Sequence, residues 1–207
     1  MPWKAYQEDI DGKTCPLSSS GLYAAKHNPM IFFQDVTNNN DPNSSYCIAH
    51  VRPFSELATD LSSGNVTRYN FITPNLCNDM HGNCLLDRLV KWLHLSSDNS
   101  VKQGDHWLAR NLPNILNSSA YRDGGAVFIT WDEDVHASEE TESDKPIGLI
   151  VLSPLTKGNG YSNYVRYDHS SLLRTLQEIF NASPLLRNAA TATDLSDFFR
   201  VVYSTDH

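Results

Sequence analysis

Two stretches of this chain gather residues able to do polar chemistry. The first is Pro74-Asn75-Leu76-Cys77-Asn78-Asp79-Met80-His81, and the second is Asp132-Glu133. Further candidates are His27-Asn28-Pro29 and His169, the latter within Tyr167-Asp168-His169-Ser170. Carboxylates and imidazoles on loops suit hard or borderline divalent cations, which take oxygen and nitrogen ligands. A cation so held can polarise a phosphoryl oxygen and sharpen a nucleophile. Each residue also has a plainer reading. Asp79 suits an Asx-turn and Asn75 a turn after Pro74; His81 suits a surface position; Asp168 or Ser170 suits a helix cap beside His169; and Asp132-Glu133 suits the start of a solvated acidic loop.

Chemistry of this kind needs a rigid support, and the pattern supplies strands alternating with helices. Strands are expected at Met30 to Phe33 and at Tyr69 to Thr73, the latter stopped by Pro74-Asn75. The continuous apolar run from Ala126 to Trp131 predicts a central strand buried on both faces and ending at Asp132-Glu133, with Ile147 to Leu152 as its twin. Helices are expected from Arg52-Pro53-Phe54-Ser55 through Leu61, over Leu85 to Leu95, and from an N-cap at Asp105 through Leu116 with Pro113 bending it. Ser170 to Phe180 places Leu172, Leu173, Leu176, Ile179 and Phe180 on one helical face. Interleaved strands and helices imply an α/β sandwich with a mostly parallel sheet, in which ligands sit beyond the carboxyl ends of the strands.

Composition bounds the function. The chain has 207 residues, 40% of them hydrophobic and 19% charged, enough for one domain with a sizeable core. Its net charge is −8, but seven acids and no base lie between Asp132 and Asp144. This local acidity argues against nucleic acid or an anionic membrane as partner. No apolar run is long enough for a transmembrane segment. Cys15, Cys47, Cys77 and Cys84 allow two disulfides, and sequons at Asn43, Asn65, Asn117 and Asn181 also point toward secretion. A cytosolic α/β protein with four free thiols is the competing expectation. No Walker loop, GxGxxG or GxSxG occurs.

Seven segments carry a resemblance. Trp3-Lys4-Ala5-Tyr6-Gln7-Glu8, Lys26-His27-Asn28-Pro29, Val51-Arg52-Pro53-Phe54-Ser55-Glu56-Leu57, Phe71 to His81, Gly104-Asp105-His106-Trp107-Leu108, Val127 to Glu133 and Tyr167 to Thr175 follow one another in the order seen in the phosphoesterase family. That family contains secreted acid phosphatases and phospholipase C enzymes within the alkaline phosphatase superfamily. The resemblance implies a three-layer α/β/α fold and metal-dependent hydrolysis of a small phosphate ester. It implies Asp132 and Glu133 as metal ligands for a divalent ion, and His81, Asp79 and His169 as catalytic residues. Asn75, His27 and Asn28 are expected to bind substrate.

The same resemblance implies, upstream of the Trp3 segment, a first strand ending in Glu-Asn and a Ser or Thr nucleophile. The expectation is therefore a single domain over 1–207 that corresponds to the C-terminal portion of the family fold, lacking its first strand and leaving an apolar sheet edge exposed. A possible insertion spans 82–103 and an acidic loop spans 134–146. A secreted phosphoesterase is the leading expectation; a non-catalytic remnant that binds an anion or metal without turnover is the alternative.

Overall fold

The computed structural model describes residues 2–81, 100–133 and 146–200, and the chain divides into two units, Met1–Ala120 and Tyr121–His207. The expected helix over Leu85 to Leu95, most of the 82–103 stretch, Cys84 and the body of the 134–146 acidic loop lie outside the described residues.

In the first unit, β1 (Trp3–Gln7) runs parallel to both its neighbours, β2 (Val51–Pro53) and β3 (Tyr69–Thr73), in the order β2-β1-β3. Ala5 pairs with Val51 on one side and Phe71 on the other. Alternation along β1 sends its side chains into two cores. Ala5 joins Cys15, Ile31, Val36, Cys47 and Val51 on one face, while Tyr6 joins Leu57 and Leu61 on the other. Both faces are thus covered, as parallel sheets require, and the fold is α/β.

The helices flanking this sheet are α1 (Gln34–Thr37), α2 (Ser45–His50), α3 (Leu57–Ser63) and α4 (Ser100–Leu116). Ser44 caps α2 by accepting from Cys47 N. Three expectations are corrected here. Met30 to Phe33 is not a strand: Pro29 pre-sets a helical φ at the first position, and Pro29–Phe32 forms a 3₁₀ turn. The helix read from Arg52 begins later, because Val51–Pro53 pairs as β2 before a 3₁₀ turn at Phe54–Glu56 leads into α3. Asp105 lies inside α4 rather than capping it. The Tyr69 to Thr73 strand is found as expected.

In the second unit, α5 (Ser119–Arg122) opens before its boundary and leads to β4 (Val127–Thr130), which pairs with β5 (Leu149–Leu152). This pairing is antiparallel, and neither strand is buried on both faces: Thr130 and Ile150 are exposed. Apolar content set the expectation of double burial, but such a run does not specify its partner or its cover. α6 (His169–Ile179) starts at a capping box in which Asp168 accepts from Ser171 N. Its buried residues are Ser171, Thr175 and Gln177, whereas Leu173 and Ile179 of the expected apolar face are exposed. The polar face is buried because it satisfies a neighbouring loop. Gln177 donates to the carbonyls of Ala182 and Pro184 and accepts from Leu186 N, and Thr175 Oγ1 accepts from Leu195 N. Among the described residues, no helix is long and apolar enough to cross a membrane.

Cys15 and Cys47 form a disulfide, and Cys77 is also disulfide-bonded. The expectation of four free thiols is thereby overturned.

Candidate functional site

Beyond the carboxyl ends of β1 and β3, two loops are tied to each other. Pro74 stops β3, and Asn75 then closes a turn on itself: its Oδ1 accepts from Cys77 N at 2.9 Å and Asn78 N at 3.1 Å. Its backbone carbonyl takes Asn78 N and Asp79 N. Glu8, directly after β1, holds this turn from the side. Glu8 Oε2 accepts from Asn75 N and Asn78 Nδ2, both at 2.8 Å, and Oε1 accepts from the Trp107 indole of α4 at 2.8 Å. Asn75 Nδ2 donates to Asp9 at 2.6 Å. Glu8 therefore spends its carboxylate on positioning, through three charge-assisted hydrogen bonds.

The turn presents Asp79 and His81. Asp79 Oδ1 accepts from His81 N at 2.9 Å, an Asx-turn as the plainer reading had it. Asp79 Oδ2 lies 3.8 Å from His27 Nδ1 and, although buried, accepts no hydrogen bond among the described residues. His27 is fixed through its backbone, since its carbonyl accepts from Thr73 Oγ1, which in turn accepts from the buried Gln7 side chain. Asn28 is wholly buried; its Nδ2 donates to Tyr23 OH, and its Oδ1 is the other buried acceptor without a partner among the described residues. Burial pushes the Tyr23 phenol above its usual range against the opposing hydrogen bond from Asn28, so Tyr23 stays neutral and donates to Pro16 O. The structure thus brings His27 and Asp79 together and holds Asn75, Asn28 and His81 on the same supports. The His81 ring is exposed.

In the second unit, Asp132 and Glu133 follow β4 as exposed carboxylates. His169, the first residue of α6, places Nε2 2.8 Å from the Asp132 carbonyl oxygen, so two of the expected site residues meet here. With Nε2 bonded to a carbonyl, it is the protonated ring nitrogen. Gly148 lies so close to Trp131, just before the acidic pair, that a Cβ there would overlap the indole.

Among the described residues, no group of three or more His, Cys, Asp and Glu side chains is placed to hold a metal ion. Each unit has donors of the right kind: in the first, Asp79 Oδ2 is a buried oxygen without a partner among the described residues, and in the second, Asp132 and Glu133 are exposed carboxylates.

Residues that sequence reading gave no role are those that support the loops: Glu8, Asp9, Trp107, Thr73, Gln7 and Tyr23. Glu8 and Asp9 were detectable by the rule that picked out Asp132-Glu133, acids directly after a strand, once Trp3–Gln7 is recognised as one.

An α/β unit with its polar residues collected beyond parallel strands is the arrangement of a ligand-binding or hydrolytic α/β protein. The model of the phosphoesterase family matches residues 1–183, and the chain belongs to that family. It is similar to the phosphate-repressible acid phosphatase of Penicillium chrysogenum, at 28% identity over 85% of this chain and 38% of that protein. It is also similar to the phosphatidylinositol-3-phosphatase of Mycobacterium tuberculosis, at 25% over 94% of this chain and 53% of that protein. A probable acid phosphatase of Kluyveromyces lactis is 24% identical over 84% of this chain and 36% of that protein. The chain spans roughly a third to a half of the length of these relatives.

Proposed function

We propose that this chain takes part in the hydrolysis of phosphate esters as a secreted acid phosphatase-like phosphoesterase assisted by a divalent metal ion. The observation that carries this reading is the buried Asp79 Oδ2, without a hydrogen-bond partner among the described residues, facing His27 Nδ1 at 3.8 Å on a loop beyond a parallel strand, in a chain of the phosphoesterase family. Two of its relatives are named acid phosphatases and a third a probable acid phosphatase, none with a stated substrate, and the reading goes no further than the ester class. Exposed sequons at Asn43, Asn65, Asn117 and Asn181 support secretion and glycosylation, as do the disulfides.

Each group has a role in this reading. Asp79 faces the His27 ring across 3.8 Å, and His27 contributes an imidazole N–H toward the phosphoryl oxygens. Asn28 and Asn75 act indirectly, the buried Asn28 holding the His27 segment and Asn75 holding the turn that presents Asp79 and His81. His81, held by the Asx-turn, protonates the leaving oxygen. Asp132 and Glu133 are the proposed metal ligands, and His169, bound to the Asp132 carbonyl, orients that segment. A divalent ion, when bound, supplies charge stabilisation at the phosphoryl oxygens and a more acidic attacking hydroxyl.

The test is hydrolysis of p-nitrophenyl phosphate and its bis-ester by the 207-residue chain, at acidic and neutral pH, with divalent metals or EDTA. Metal-dependent turnover, with a Ser or Thr of these 207 residues supplying the attacking hydroxyl in place of an upstream one, that Asp132→Asn abolishes and His81→Ala lowers on the order of 10²-fold is the expected result. Silence from a folded sample that still binds phosphate would replace this reading with a non-catalytic binding domain.

A further inference from the structure

At the opposite end of the same sheet, Trp3 opens β1 and Tyr69 opens β3, and the two pair directly across the strands. Their side chains therefore stand side by side on one face. Together with Met30, Asp35, Val36 and Tyr46 they line an open cleft of about 380 Å³. Three aromatic rings and a single carboxylate thus surround one space, and Asp35 is the sole charged group of the lining.

The rings are held in place. The Trp3 indole N–H donates to Tyr46 OH at 3.3 Å, and the two rings meet edge to face with centroids 6.2 Å apart. His50, on α2 with Tyr46, stacks on Tyr46 at 4.1 Å and lies 4.7 Å from Trp3, so the three rings form one cluster. Tyr69 is half-buried, and burial raises its phenol above the usual range, leaving it neutral. Asp35 is exposed, and its one local hydrogen bond, from Val36 N at 3.1 Å to Oδ1, leaves most of the carboxylate's acceptor capacity open.

We propose that this cleft binds an organic cation of the quaternary ammonium class. Ring faces attract a diffuse positive charge. Met30 and Val36 offer apolar contact to the methyl groups of such a cation, and Asp35 supplies the countercharge. A carbohydrate fits less well: it needs several directional hydrogen bonds, while the Trp3 donor is already committed to Tyr46. The cleft stands at the amino ends of the strands, whereas the phosphate-directed loops stand at the carboxyl ends, so the two sites are separate and the proposal does not depend on catalysis.

The test is a titration of the 207-residue chain with choline and with tetramethylammonium, followed by calorimetry and by the indole N–H resonance of Trp3. Ammonium, N-acetylglucosamine and 3,3-dimethylbutan-1-ol, the neutral isostere of choline, serve as controls. Saturable binding of both quaternary ions, at least tenfold weaker binding of the neutral isostere and a tenfold or greater loss in Asp35→Asn are expected. Asn retains an oxygen for Val36 N, so that variant keeps the local turn, and an unchanged circular dichroism spectrum verifies it. Trp3→Leu should abolish binding as well. Equal affinity for the neutral isostere, a preference for the sugar, or no saturable binding by a folded sample would each overturn the proposal.

Discussion

The indole N–H of Trp107 donates to Glu8 Oε1 at 2.8 Å, joining positions 99 residues apart and fixing α4 to the end of β1. Because the other Glu8 oxygen accepts from Asn75 and Asn78, one carboxylate links a helix, a strand end and the turn that carries Asp79.

Glu8→Gln should therefore do more damage than its isosteric shape suggests. All three groups facing this side chain are N–H donors, and the amide would turn its own NH₂ toward one of them. A loss of about 1.5–3 kcal/mol in the urea unfolding free energy is expected, from hydrogen bonds to a charged group. Hydrogen exchange at Asn75, Asn78 and Asp79 should accelerate in step. Unchanged exchange there would show that the turn stands without Glu8.

Gly104 is the second lock on that turn. A Cβ at this position would overlap the Met80 side chain and come within 3.0 Å of the Asn78 carbonyl oxygen. Met80 already has a positive φ of 68°, which leaves the backbone little room to retreat. Gly104→Ala should cost about 1–3 kcal/mol, as overpacking does, despite the higher helix propensity of alanine. It should also lower phosphoesterase turnover if Asp79 and His81 act as proposed. A stability gain in chemical denaturation would mean that Met80 moves aside freely.

Asp60 sets a predictable pH dependence. Burial alone would raise its pKa, but hydrogen bonds from Lys4 at 2.5 Å and Tyr6 OH at 2.6 Å outweigh this and hold it below the usual carboxylate range. The folded-state pKa is thus depressed, so its stabilisation is fully present above the unfolded value of about 4 and fades as pH falls through the lower, folded one. Asp60→Asn should destabilise the chain at pH 7 and leave its stability nearer the wild type's below pH 3. Parallel stability curves for the two proteins between pH 7 and pH 3 would contradict this.

What could be seen in the sequence follows from how local each signal is. Tyr69 to Thr73 was legible because its β-branched and aromatic residues meet a stop at Pro74, and both signals lie within the strand. Met30 to Phe33 was misread because four apolar residues carry no period, and Pro29 with Asn28 decided the backbone instead. The exposed Leu173 and Ile179 of α6 could not be foreseen, since Thr175 and Gln177 are buried only by virtue of a loop that follows them. For the site, Asp79 and Asn75 were visible as residue types beyond a strand, and His27 as part of a polar turn. Glu8 and Trp107 were not, because their roles exist only once β1, β3 and α4 are side by side.

The Cys15–Cys47 disulfide closes a loop with a sequence separation of 32, and both residues are buried in the core beneath β1 and β2. Loop-closure entropy for a link of this span corresponds to roughly 3–4 kcal/mol. Cys15→Ala/Cys47→Ala should lower the unfolding free energy by about that amount, and the reduced wild type, which also loses the Cys77 disulfide, should lose at least as much. The cost should fall on the face of the sheet that carries Ile31, Val36 and Val51, and so reach the Trp3 cleft, since Trp3, Met30 and Val36 pack in that same cluster. Measuring urea midpoints with and without reductant, alongside the Trp3 indole resonance, checks both parts. A midpoint shift equivalent to less than about 1 kcal/mol would mean that apolar packing alone specifies this face, and that the disulfide constrains a chain already folded without it.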